Sequence, residues 1–302
     1  DWAAAAPLAR PFMPEGLDLY GRRATSINFA SLYPAGQDKG FLRNLNARAK
    51  FGFDRASYMG LVFDAVDTDI TVDRGMLTLA PFSTKVNNGT AGFAGKIDFN
   101  AEPPVLQTPG PMQIAKDVQI NPETTAKLLQ YVNPIFANVT LISGEANFDC
   151  EKMVIPLAKG EPNAIEVAGT LAINNINIRG TGLLGQILSI SPAAARGAYL
   201  TVHPTAFTVK DSVMRYKDKM QIDFGEYPFD FTGAINIETL ALGNYTVTTP
   251  YTTDFKPVRS SQAAGVKRVA LPIRGTLGNP KLDTDRFLQQ QALGGLLDRL
   301  LK

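Results

Sequence analysis

The feature that most restricts the fold is a two-residue period in hydrophobicity. In LNARAKFGFD, Leu45, Ala47, Ala49, Phe51 and Phe53 alternate with Asn46, Arg48, Lys50, Gly52 and Asp54. Alternate side chains of an extended strand share a face, so this segment predicts a strand with one wet side. DTDITVDRGMLTLAPF repeats the pattern, with Asp67, Asp69, Thr71 and Asp73 opposite Ile70 and Val72, and turns at Arg74-Gly75 into a returning run. GEANFDCEKMVIPL from Gly144 and DSVMRYKDKMQIDFGEYPFDF from Asp211 also read as a run, a polar turn and a return.

A second pattern lies on top of the first. FAGKIDF, VAGTLAI, FTGAINI and IRGTLGN each place a glycine between apolar residues of one face: Phe93-Gly95-Ile97, Val167-Gly169-Leu171, Phe231-Gly233-Ile235 and Ile273-Gly275-Leu277. One reading is that the glycine permits a bulge, a strong twist or close approach of a packed neighbour. The other is that a glycine flanked by large residues leaves a notch, and stacked notches line a trough for acyl chains. The four glycines are unevenly spaced, which fits a degenerate strand-hairpin repeat with insertions.

Three helices are expected. Asn121 caps NPETTAKLLQYV, with Pro122 at its first position and Glu123 in its first turn. GLLGQILSISP from Gly182 spaces Leu183, Leu184, Ile187 and Leu188 helically. TDRFLQQQALGGLLDRLLK from Thr284 carries Leu293, Leu296, Leu297, Leu300 and Leu301 on one stripe, a plug for the sheet end or a membrane or partner contact.

Composition removes several functions. Thirty basic residues against 28 acidic ones, with no basic run, leave no electrostatic footprint for nucleic acid. One cysteine, Cys150, excludes an internal disulfide and a cysteine zinc cluster, and one histidine, His203, leaves no second histidine for a metal site. DAVDTDITVD lacks the glycine and terminal glutamate of a calcium loop, and ISGEA lacks the frame of a nucleophile elbow. The chain is expected to be non-enzymatic, with no cofactor and no metal. The opening residues lack the features of a secretory signal, so residues 1–40 are expected to be a lead-in, the remnant of a longer chain, ahead of one β domain over 41–302.

NPIFANVTLISGEANF, GTLAINNINIRGTGLLGQIL and LPIRGTLGNPKLDTDRF, with the earlier DITVDRGMLTLAPF and NGTAGFAGKIDF, resemble the AsmA-like family of bacterial envelope proteins. The resemblance implies a mainly β fold: an elongated, strongly curved antiparallel sheet, an open groove or half-barrel, with a few short helices and a C-terminal amphipathic helix. It further implies a periplasmic protein of outer-membrane biogenesis that binds or transfers phospholipid, held to the membrane through a segment absent from this chain. Phospholipid or another lipid is the expected partner, with membrane or envelope proteins beside it. The alternative is a dry β-sandwich for envelope assembly or adhesion, in which the glycines serve packing alone.

Overall fold

The structure is a computed structural model that describes residues 1–2, 4, 16–22, 26–32, 36, 40–137, 139–157, 164–180, 182–189, 199–254 and 256–283. It is mainly β, with antiparallel strands and a few short helices. Two compact units form: residues 1–124, 145–171 and 208–212, and residues 125–144, 172–207 and 213–302. The expected C-terminal helix, with Leu293, Leu296, Leu297, Leu300 and Leu301, lies outside the described residues.

In the first unit the strands are β1 (Asp18–Tyr20), β2 (Asn28–Ser31), β3 (Leu45–Phe53), β4 (Arg55–Tyr58), β5 (Leu61–Phe63), β6 (Val66–Asp73), β7 (Met76–Val86), β8 (Gly89–Asp98), β9 (Val105–Gln107) and β10 (Met112–Gln119). A four-residue helix α1 (Gly40–Arg43) precedes β3. Part of the expected lead-in belongs to this unit: β1 pairs with β4 and β2 with β3. Trp2 donates its indole N–H to the Gly52 carbonyl at 2.8 Å and meets Phe51 edge-on. The alternation read from β3 is observed, with exposed Asn46, Arg48 and Lys50 between half-buried Leu45, Ala47, Ala49 and Phe51.

Hairpin turns fall where the chain offers residues tolerant of positive φ. Arg74 (46°) and Gly75 (80°) join β6 to β7, with Asp73 opposite Met76, and Asn87 (43°) and Asn88 (67°) join β7 to β8. Two consecutive positive φ values match the right-handed twist of paired strands, which is why such loops select Asn and Gly. GEANFDCEKMVIPL departs from expectation, because it is no hairpin: all of it but the final Leu157 lies in one strand, β11 (Val139–Pro156). Glu151 and Lys152 are exposed positions on a continuing strand, and neither has the positive φ seen at Arg74-Gly75 and Asn87-Asn88.

Helix α2 (Pro122–Lys127) begins as expected, with the Asn121 side chain accepting from the Thr124 amide at 2.9 Å. β12 (Glu166–Gly180) follows β11.

Helix α3 (Gly182–Ser189) and strands β13 (Leu200–Lys210), β14 (Val213–Tyr216), β15 (Met220–Phe224), β16 (Tyr227–Asn236), β17 (Leu242–Thr252), β18 (Arg268–Thr276) and β19 (Asn279–Leu282) follow among the described residues. The second run departs from the expected two-strand hairpin by holding three strands: β15 and β16 pair across Gly225-Glu226, with Phe224 opposite Tyr227, and β14 also pairs with β16. Leu183, Leu184 and Ile187 of α3 are fully buried. The Leu282 amide donates to Gln186 of α3 at 3.1 Å. The remaining core of this unit comes from alternate residues of its strands, including Val202, Ile222, Phe224, Phe229 and Val247, and from a 3-10 turn at Pro134–Phe136. Asn133 caps that turn, accepting from the Ile135 amide at 2.9 Å while its own amide donates to Met220 Sδ at 3.3 Å.

Candidate functional site

Residues directly opposite each other on paired strands point to the same face. Following the register across the first unit gives one uninterrupted apolar row: Phe29, Ala47, Val72, Leu77, Ile97, Leu106 and Ile155, on β2, β3, β6, β7, β8, β9 and β11. The next register step, on the other face, reads Asn28, Arg48, Thr71, Thr78, Lys96, Gln107 and Val154, polar in all but its last member. A further apolar row, Ala49, Ile70, Leu79 and Gly95, returns to the first face. Phe29 is 65% exposed, Val72 is buried, and the other members of the long row are half-buried. Phe29, Ala47 and Val72 line a surface cavity of about 560 Å³. Six inter-strand steps of about 4.8 Å make the row roughly 29 Å long.

The expected site residues separate by unit. Phe93, Ile97 and Val167 are half-buried in the first unit, where Leu171 is 7% exposed. Phe231 and Ile235 are fully buried in the second, and Ile273 and Leu277 are 5% and 1% exposed there.

The notch expected above each glycine is filled. A Cβ on Gly95 would stand 2.9 Å from the Phe93 ring, and one on Gly169 would stand 2.5 Å from the Asp149 carbonyl oxygen and 2.7 Å from the Phe148 ring. At Gly233 the register between β16 and β17 shifts by a bulge, φ is +131°, and a Cβ would come within 2.6 Å of Tyr245 Cα. Gly275 has φ +100° at the β18–β19 hairpin, with Asn279 O 2.4 Å from a Cβ. Bulge, close approach and hairpin geometry therefore account for the repeated glycine, the first of its two readings.

Ionisable groups are engaged in local packing. Cys150 is 1% exposed, and burial raises its thiol pKa against a smaller lowering from the Thr108 hydroxyl. His203 Nε2 lies 2.9 Å from Asp223 Oδ2, the same oxygen to which Ser260 donates at 2.9 Å, while Gln221 donates to Oδ1 at 2.9 Å. Serine and histidine both address the carboxylate, unlike the relay in which a histidine bridges the other two.

Asp230 Oδ2 accepts from Lys219 at 2.7 Å and from the buried Arg268, which also donates to the Pro228 carbonyl at 2.9 Å. Its Oδ1 is buried without a hydrogen-bond partner among the described residues. Burial raises the Tyr216 and Tyr245 pKa values far above the ordinary phenol range. Tyr216 gives its proton to the Val132 carbonyl at 2.5 Å and so accepts from Tyr245 at 2.5 Å. Among the described residues, no group of three or more His, Cys, Asp or Glu side chains is placed to hold a metal ion, and no helix is long and apolar enough to cross a membrane.

Sequence reasoning found Ile97 and the alternation that carries Ala47, Val72 and Leu77, but missed Phe29, Leu106 and Ile155 as parts of one surface. β2 and β9 are too short to show a period, and β11 was expected to turn back. No protein-family model, curated protein or solved structure matches the chain.

Proposed function

We propose that the protein binds lipid acyl chains without catalysing a reaction, and that the binding surface is the apolar face of the first unit. The observation that carries this reading is the row of seven apolar residues on seven strands, most of them half-buried, opposite an almost wholly polar row. A sheet face that needed only water would carry polar residues on both sides, and a closed core would bury the apolar side fully. The row is about as long as a bilayer's hydrocarbon core is thick, roughly 30 Å. Each methylene taken out of water contributes about 0.8 kcal/mol, so modest coverage of an acyl chain gives useful affinity. In this reading the protein holds or passes phospholipid in the periplasm, as the resemblance implies.

The test is native mass spectrometry of the chain recovered from a bacterial membrane extract, beside Ile97→Asn/Leu106→Asn. Phospholipid adducts on the parent and at least fivefold fewer on the folded variant are expected. Repeated absence of lipid on the parent would remove the reading. A second reading, a structural module of the envelope, is favoured by the fully buried core of the second unit, where Phe231, Ile235, Ile273 and Leu277 are packing residues.

A further inference from the structure

We propose that Arg43 and Glu102 form a headgroup site for a zwitterionic phospholipid, with the lipid phosphate on the guanidinium and its ammonium on the carboxylate. This inference rests on the lipid reading above and specifies which lipid the surface takes.

The site lies where the apolar rows end. Phe99 is two residues beyond Ile97, and its amide donates to the Gly75 carbonyl at 2.9 Å, continuing the β7–β8 ladder. Pro104 is two residues before Leu106, and its carbonyl accepts from the Leu157 amide at 2.8 Å, continuing the β9–β11 ladder. Helix α1 ends beside the same turn: a Cβ on Gly75 would stand 2.9 Å from the Arg43 carbonyl oxygen, and the Gly75 amide donates to the Leu45 carbonyl at 3.2 Å.

Phe41, Leu42, Arg43, Phe99, Glu102 and Pro104 line a cavity of about 370 Å³ there. Two of its apolar walls, Phe41 and Leu42, are 43% and 46% exposed. An ion pair between Arg43 and Glu102, whose side chains are 40% and 64% exposed, stands within it.

An exposed ion pair is weakly held, because water competes for both partners. Its guanidinium offers the planar fork that suits a phosphate, and its carboxylate attracts the positive charge of an ammonium. A headgroup with both charges replaces the pair by two matched contacts. A purely anionic headgroup gains the arginine but meets the repulsion of Glu102, so charge complementarity favours the zwitterion. The surrounding Phe41, Leu42, Phe99 and Pro104 lead from this polar end towards the apolar rows, where the chains would lie.

The experiment is calorimetric titration of the full chain with dihexanoyl phosphatidylcholine and, separately, dihexanoyl phosphatidylglycerol, both below their micelle-forming concentrations. Circular dichroism confirms that each variant is folded. The parent is expected to bind phosphatidylcholine about fivefold more tightly or better, the factor given by roughly one exposed charge contact. Glu102→Gln should erase or invert that preference by releasing Arg43 to the anionic lipid, and Arg43→Gln should weaken both lipids.

Equal binding of the two lipids by the parent, unchanged in both variants, overturns the headgroup site while leaving the lipid reading intact. Failure of both lipids to bind removes the headgroup site and the lipid reading together. A concentration-dependent dimer that Phe41→Ser abolishes, with neither lipid bound, would assign the cavity to a second copy of the chain and likewise overturn the proposal.

Discussion

The two units spend similar apolar residues in different ways. In the second, Phe136, Phe224, Phe229, Phe231, Tyr245, Ile135, Ile173, Ile176, Leu183, Leu184 and Ile187 are the bulkiest side chains of the described chain with less than 2% exposure, and α3 and the Pro134–Phe136 turn contribute to that core. In the first, one core cluster, Phe53, Ala56 and Val66, leans on partly buried Trp2, Leu19, Phe51, Phe63 and Phe82, and Val86, Val118 and Ile120 are buried as well. Five of the seven residues of its long apolar row are half-buried and Phe29 is exposed. The same period-two alternation therefore yields a dry core in one unit and an accessible apolar face in the other. Alternation creates the face, and what packs on that face decides its use.

The sharpest way to break this comparison is to truncate one residue in each unit. Phe231→Ala should lose about 3–5 kcal/mol, because a fully buried phenylalanine leaves a cavity that a rigid sheet cannot close. Ile97→Ala should lose only about 1–2 kcal/mol, because its side chain already meets water. Urea denaturation of both variants reads the contrast. Equal losses would mean that the first unit's face is buried as completely as the second's core, and the proposed lipid surface would go with it.

The glycines sharpen the comparison at smaller scale. Gly233→Ala should cost about 1–3 kcal/mol, since φ is +131° and the new Cβ meets Tyr245 Cα at 2.6 Å. Gly110→Ala in the first unit, with nothing within 4 Å, should change stability by less than about 0.5 kcal/mol. Thermal unfolding distinguishes them, and a neutral Gly233→Ala would refute the packing account of the repeated glycine.

The gentlest test is alkaline titration. Burial raises the Tyr216 and Tyr245 pKa values, so in the folded chain both keep their protons where an unfolded tyrosine ionises, near pH 10. Above that pH the unfolded state binds fewer protons than the folded one, so stability falls as pH rises. The contribution is fully present below pH 10 and is lost at up to about 1.4 kcal/mol per pH unit for each tyrosine. Cys150, raised in the same direction, begins its loss near pH 9. Ultraviolet titration should show these two tyrosines ionising only with unfolding. Early ionisation of all tyrosines would contradict the sealed core of the second unit.

Much of the local architecture was legible in the chain. The wet and dry sides of β3, the Arg74-Gly75 turn, the Asn121 cap and the buried stripe of α3 all follow from residues within one or two turns of each other. β11 was not legible, because exposed Glu151-Lys152 looks like a polar turn in sequence but is the solvated part of a continuous strand. The reversals at Arg74-Gly75 and Asn87-Asn88 have left-handed pairs, which Glu151-Lys152 does not. The candidate site was half legible. Ile97 stands out by its own alternation, but Phe29, Leu106 and Ile155 join it through the pairing of seven strands, in which the ends, Phe29 and Ile155, are 126 residues apart in sequence.

What the sequence by itself determined is the alternation, the turns and the helix caps, because each depends on the side chains and backbone preferences of neighbouring residues. Only the tertiary structure decided what stands over each glycine. The atoms that fill those spaces include the Asp149 carbonyl, Tyr245 Cα and the Asn279 carbonyl; all three lie on strands other than the glycine's own, and no local pattern encodes the position of the first two. It likewise decided which apolar faces close. Burial depends on the partner layer, and the same strand pattern is a core beneath a helix and a partly exposed apolar face where its apolar side still meets water.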